Sequence, residues 1–149
     1  MTPIEETLRD NAAENAALRK LVERLSEQNL LTPMEAGWTV AAVLAHLAFW
    51  DQRAITLIEK WKQEGVSGSA IDVAVVNEVT RRLCLAIQPR DAAELAISVA
   101  DEIDQLIADM NPEMVEAIMT RGTTVKLNRA DHRRTHLSEI EGALRAKGG

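Results

Sequence analysis

Between residues 39 and 61 the apolar side chains Val43, Leu47, Trp50, Ala54, Leu57, Ile58 and Trp61 fall on one side of a single long helix. The start of that helix is marked by Thr39, a good N-cap, with Trp38 before it placed to staple onto Val43. Gly65 is a suitable left-handed stop. A helix of this length with one wide apolar stripe must bury that stripe against other elements. The rest of the chain offers further helices and no pattern of strands.

Thr2, Pro3 and Glu5 make a capping box followed by Ile4, Leu8, Leu18, Leu21, Val22 and Leu25, which predicts a first helix through about residue 28. Residues 30–37, with Pro33 and Gly37, read as a connection, and residues 65–69 as a small-residue loop. A shorter helix is expected over residues 70–87, with Ile71, Val75, Val79, Leu83 and Ile87 on its packed face and Pro89 ending it. Asp91 and Glu94 signal the next helix, with Leu95, Val99, Ile103, Leu106 and Met110 inward. Asn111 and Pro112 break it and begin a short turn through Met119, and residues 121–124 form a loop hinged at Gly122. The last helix is expected over residues 125–146, packed through Leu137, Ile140 and Leu144.

Composition supports helix on helix. The chain has 149 residues, 46% of them apolar, but no tyrosine, one phenylalanine and three tryptophans. We therefore expect one all-α domain spanning residues 1–149. A net charge of −6 excludes a typical nucleic-acid binder. No run is long and apolar enough to span a bilayer, and the N-terminus has no signal-peptide pattern, so a cytoplasmic location is expected. Cys84 is the only cysteine and reads as a buried thiol.

The chain has three histidines, and all fall in two segments. His46 sits at the margin of the long stripe, in line with Trp50 and Arg53, while His132 and His136 stand one helical turn apart. Two neutral imidazoles at this spacing can bind one ion, and a third from another helix completes a set that leaves positions open. On a charged helix such a pair is commonly plain surface, and a lone His46 is commonly a core histidine. The combination says more, because no histidine is spent elsewhere. Arg133 follows His132 where the metalloprotease pattern has its glutamate base, so that chemistry is excluded. Lys126, Arg129, Arg133 and Arg134 crowd the start of the last helix, either as a solvated face or as an attractant for an anionic substrate. Asp51, Asp131 and Glu139 are open as orienting partners for imidazoles or as ordinary acids.

The segment GWTVAAVLAHLAFWD resembles the second-helix signature of the DinB-like superfamily, also called the YfiT-like metalloenzymes, through Trp38, Thr39, His46, Leu47, Phe49 and Trp50. DHRRTHLSEIEGAL is similar to that family's closing His-x-x-x-His segment, and VVNEVTRR resembles an asparagine-containing crossover, which makes Asn77 a pocket candidate. The resemblance implies a four-helix bundle of up-down-down-up connectivity, with a crossover over about residues 64–90 that contains an extra short helix. It implies that His46, His132 and His136 bind a divalent metal, nickel or zinc, in a cleft at one end of the bundle. With Asn77, the residues in line with His46 (Trp50 and Arg53) and two of the basic cluster (Arg129 and Arg133) are the pocket candidates. It also implies a homodimer, a small-molecule substrate and no nucleic-acid partner. Characterised relatives include transferases and isomerases that use a low-molecular-weight thiol, so thiol S-transfer is the first activity expected and metal-assisted hydrolysis the second. A non-catalytic module that binds small molecules remains the alternative.

Overall fold

The computed structural model describes residues 1–148. Their regular structure is helical throughout: α1 (Pro3–Arg24), α2 (Glu27–Leu30), a 3-10 turn (Glu35–Gly37), α3 (Val40–Glu64), α4 (Val73–Ala86), α5 (Pro89–Ala108), α6 (Pro112–Thr120) and α7 (Ala130–Ala146). The all-α expectation holds. No helix among the described residues is long and apolar enough to cross a membrane.

The strongest local signals place their elements as read. Thr2 and Glu5 form the reciprocal capping box of α1, and the Thr39 hydroxyl accepts from the Ala42 amide at the start of α3. At the other end of α3, Gly65 has φ +86° and its amide donates to the Trp61 carbonyl. Asn111 caps α6, which makes the expected turn after Pro112 a helix of nine residues.

The packing is built on α3 and α5. Their facing surfaces are rich in alanine (Ala41, Ala42, Ala45 and Ala48 against Ala92, Ala93, Ala96 and Ala100), all buried, which allows two helices to approach closely. Larger side chains fill the other end, where Ile55, Ile58 and Trp61 pack with Val99, Ile103 and Ile107. Early residues of α3 thus cluster with early residues of α5, and late with late, so the two helices run in the same direction. Contacts between charged side chains orient the remaining pair. Glu14 meets Arg134 and Arg24 meets Glu141, so α1 and α7 are parallel. Arg19 meets Asp101 while Arg90 meets Glu27, so α5 opposes α1. The chain between α3 and α5 contains α4, which packs on α3.

Several boundaries and faces need correction. The first helix stops at Arg24 rather than near residue 28, because Ser26 and Asn29 form a reciprocal cap of their own and begin the single turn α2. α5 starts at Pro89, before the Asp91 signal, since proline suits the first helical position. Leu95 on α5 is exposed, the packed face being Ala92, Ala96, Val99, Ala100, Ile103 and Ile107. On α4, Val75, Val79 and Leu83 are exposed, and the buried positions are Thr80 and Cys84.

The last helix begins at Ala130 rather than residue 125. Val125 and Leu127 are instead drawn into the α3–α5 core as irregular chain. Asn11 of α1 secures that transition. Its side-chain amide donates to the Leu127 carbonyl at 2.9 Å, and its carbonyl accepts from the Arg129 and Ala130 amides at 2.8 and 3.0 Å. A residue distant in sequence thereby does for α7 what an N-cap ordinarily does.

Candidate metal centre

Antiparallel packing of α3 on α7 brings the histidines together. The Nε2 atoms of His46, His132 and His136 are 3.1–3.3 Å from one another. Each Nε2 has one lone pair or one N–H, so three of them cannot all hydrogen-bond one another. Unprotonated, they aim three lone pairs at one small region, an arrangement that a cation relieves.

At His46 and His132 a proton is a poor candidate for that cation. Burial, then the charge of His136, holds the His46 pKa down to about 4. For His132, burial followed by His136, His46, Arg129 and Arg133 lowers it to about 3. Both rings are therefore neutral near pH 7, the state in which imidazole binds metal. Nitrogens about 2.1 Å from a shared ion lie about 3.4 Å apart in tetrahedral geometry and about 3.0 Å apart in octahedral geometry. The observed separations fall between these values, so the donor set fits a divalent ion with coordination positions left over.

The surroundings fix the rings. Glu139 Oε2 lies 3.1 Å from His136 Nδ1, so that nitrogen is the donor and Nε2 is left free. His46, 6% exposed, lies edge-on to Trp38 and Trp50 at centroid distances of 5.4 and 6.5 Å. Its Nδ1 is buried without a hydrogen-bond partner among the described residues. Trp50 is held in turn by Asn77, whose Oδ1 accepts from the indole N–H at 3.0 Å.

The histidines line a cavity of about 1140 Å³ that follows α7. At the Ala130 end its walls include Trp50, Asn77, Lys126, Asn128 and Arg129, and at the other end Met34, Trp38, Val43, Gly142 and Ala143. Of the pocket candidates, Trp50, Asn77 and Arg129 reach the cavity, whereas Arg53 and Arg133 do not. Arg53 stands behind the wall, over the Trp50 ring at 5.8 Å and donating to Thr124 Oγ1 and the Ser69 carbonyl.

Arg133 is the clearest departure from the sequence reading. It is 1% exposed and points away from the cavity, donating to both Asp104 carboxylate oxygens at 2.8 and 2.9 Å, to the Asn11 carbonyl, and to Asp51 at 3.4 Å. Burial pulls the Arg133 pKa down, but Asp104 and Asp51 more than offset this and leave it above its usual value. Asp51 also accepts from Arg129 Nε at 2.9 Å. Two arginines and two aspartates thus lock α7 to α3 and α5 directly beside His132. Asp51 orients arginines rather than an imidazole, and Asp131 pairs with Arg134 on the surface. Cys84 is buried away from the cavity, its thiol pKa raised by burial.

Two residues that matter here were missed by the sequence reading. Asn11 looked like an ordinary polar position within a helix, and nothing nearby in sequence links it to Leu127. Asp104 sits among other acids of α5, with no local sign that it alone faces a buried arginine.

No curated protein and no solved structure gives a significant match to the chain. The family model of the DinB superfamily matches residues 12–139, which include all three histidines. Sequence signature, helical fold and histidine cluster agree with that match: the chain belongs to the DinB superfamily.

Proposed function

We propose that the protein is a metal-dependent enzyme that binds one divalent ion, nickel or zinc, through His46, His132 and His136 and transfers a group to or from a low-molecular-weight thiol. The observation that carries the reading is the convergence of three histidine Nε2 atoms on the wall of a large open cavity. A divalent ion supplies Lewis-acid activation there, bringing the pKa of a thiol or water in its open positions towards neutrality. The chain's own residues have distinct parts. Glu139 keeps the proton of His136 on Nδ1, the Arg133–Asp104–Asp51 lock holds the His132 turn in place, and Trp38 and Trp50 keep water from the His46 ring. Lys126, at the cavity wall and without a carboxylate partner among the described residues, draws the carboxylates that such thiols carry. The reading also takes the protein to act in the cytoplasm as a homodimer, with the exposed Val75–Val79–Leu83 face of α4 covered by a second copy.

The test is to load the untagged protein with cobalt and titrate it with glutathione, bacillithiol and mycothiol. Thiolate coordination gives a strong near-ultraviolet charge-transfer band. A band with one thiol, weakened in Lys126→Glu, is the expected result. Arg133 is unsuitable for this purpose, because charge reversal there would test folding rather than attraction. Absence of a band with every thiol, in protein shown to hold accessible cobalt, would turn the assignment to metal-assisted hydrolysis or to a binding module.

A further inference from the structure

The two ends of the histidine cavity differ in kind. α7 rises about 20 Å between Ala130 and Ala143 at about 1.5 Å per residue, with His132 and His136 between the two ends. Because α3 runs antiparallel to α7, Trp50 lies towards the Ala130 end and Val43 towards the Ala143 end.

At the Ala130 end Lys126 and Arg129 reach the wall and Arg53 stands just behind it. Asp51 is the acid that offsets Arg129, and it is shared with Arg133. Lys126 and Arg53 have no carboxylate partner among the described residues, so this end carries surplus positive charge in an acidic protein. Asp131, which also lines the cavity, is engaged by Arg134.

The opposite end is apolar on its walls, with Met34, Trp38 and Val43 facing Gly142 and Ala143. Its acids are Glu35 and Glu139, which disfavour an anion there. Gly142 is inside α7, where glycine is a poor helix former, and it does not have a positive φ. A Cβ added to it would meet no atom within 4 Å. Neither backbone geometry nor crowding calls for glycine at this position. What glycine does there is leave the apolar end open.

We propose that the cavity binds an amphipathic anion, its charged head at the Lys126 end and its apolar tail passing the histidines into the Trp38 end, with Gly142 setting the length of tail accepted. This deepens the preceding reading by naming the substrate class, since an acidic thiol carrying an S-alkyl group is such a molecule. The binding itself does not require the metal.

The test uses 3-(alkylthio)propanoates with methyl, butyl, hexyl and octyl tails, titrated calorimetrically into metal-free and zinc-loaded protein. Affinity should rise about fourfold per methylene until the apolar end is filled. Gly142→Leu should weaken the octyl compound about tenfold or more while leaving the methyl compound within about twofold. Lys126→Glu should weaken every member by a similar factor. Gly142→Ala, which adds only a methyl group into open space, controls for folding. Affinity independent of tail length in the native protein would overturn the proposal, whether or not Gly142→Leu folds. So would a Gly142→Leu protein that loses the same factor at every length. Zinc binding with a flat tail series would sink this inference alone, and a graded series in a protein that binds no zinc would sink the metal reading alone.

Discussion

Helices α4 and α7 break the same rule in opposite directions. On α4 the apolar residues at helical spacing, Val75, Val79 and Leu83, face water, with Val79 62% and Leu83 64% exposed. On α7 a charged residue in the most polar part of the helix, Arg133, is 1% exposed. In both cases the period correctly announces a helix. What it does not announce is which face is covered, because that depends on neighbours supplied by other parts of the chain. α4 is packed on α3, which takes up the narrow face containing Thr80 and Cys84. α7 is enclosed by α1, α3 and α5, and its polar face is inside because Asp51, Asp104 and Asn11 are there to meet it.

Removing the buried cation should have the largest effect. Arg133→Met keeps an apolar stem but leaves Asp104 without its bidentate partner, and should cost about 3–5 kcal/mol in urea unfolding. Adding Asp104→Leu to that variant should recover part of the loss, as the two residues share one interaction. If the single variant loses less than about 1 kcal/mol, Arg133 is not the buried lock described here.

The Glu139 contact sharpens the comparison at a site where α7 does use polarity at its surface. Glu139→Gln keeps an acceptor but removes the charge that favours the Nδ1–H tautomer of His136. Zinc affinity should fall about 10- to 100-fold in a chelator competition, with the melting temperature of metal-free protein little changed. An unchanged affinity would make Glu139 an ordinary surface acid.

On α4 the effect should be the smallest in the monomer and the most visible in assembly. Val79→Lys should change monomer stability by no more than about 0.5 kcal/mol, since the side chain already faces outward. If a second copy covers this face, light scattering should show dimer for the native protein and monomer for the variant. A native protein that is monomeric at all concentrations would leave the α4 face uncovered and remove the homodimer from the reading.

How far the sequence was legible follows the same division. Signals confined to a few neighbouring residues were readable: the Thr2–Glu5 box, the Thr39 cap, the Gly65 stop and the i, i+4 pair of His132 and His136. Interactions across the fold were not. The tie from Asn11 to the start of α7 spans more than a hundred residues, and no local propensity hints at it. Arg133 was grouped with Lys126, Arg129 and Arg134 as one basic cluster, yet the four diverge because the helix turns each towards a different neighbour. The break after Arg24 is the exception, since Ser26 and Asn29 were there to be read and were outweighed by the apolar period around them.

The central claim is that three histidines from two distant segments hold one divalent ion. Its most direct test is metal content and zinc affinity of untagged protein, measured by elemental analysis and chelator competition for the native chain and for His46→Ala, His132→Ala and His136→Ala. We predict one equivalent per native chain and a loss of more than about 100-fold in affinity for each variant, a loss exceeding that expected for an outer partner such as Glu139. A native protein that binds no zinc, nickel or cobalt, or a His46→Ala variant that binds as tightly as the native one, would contradict it.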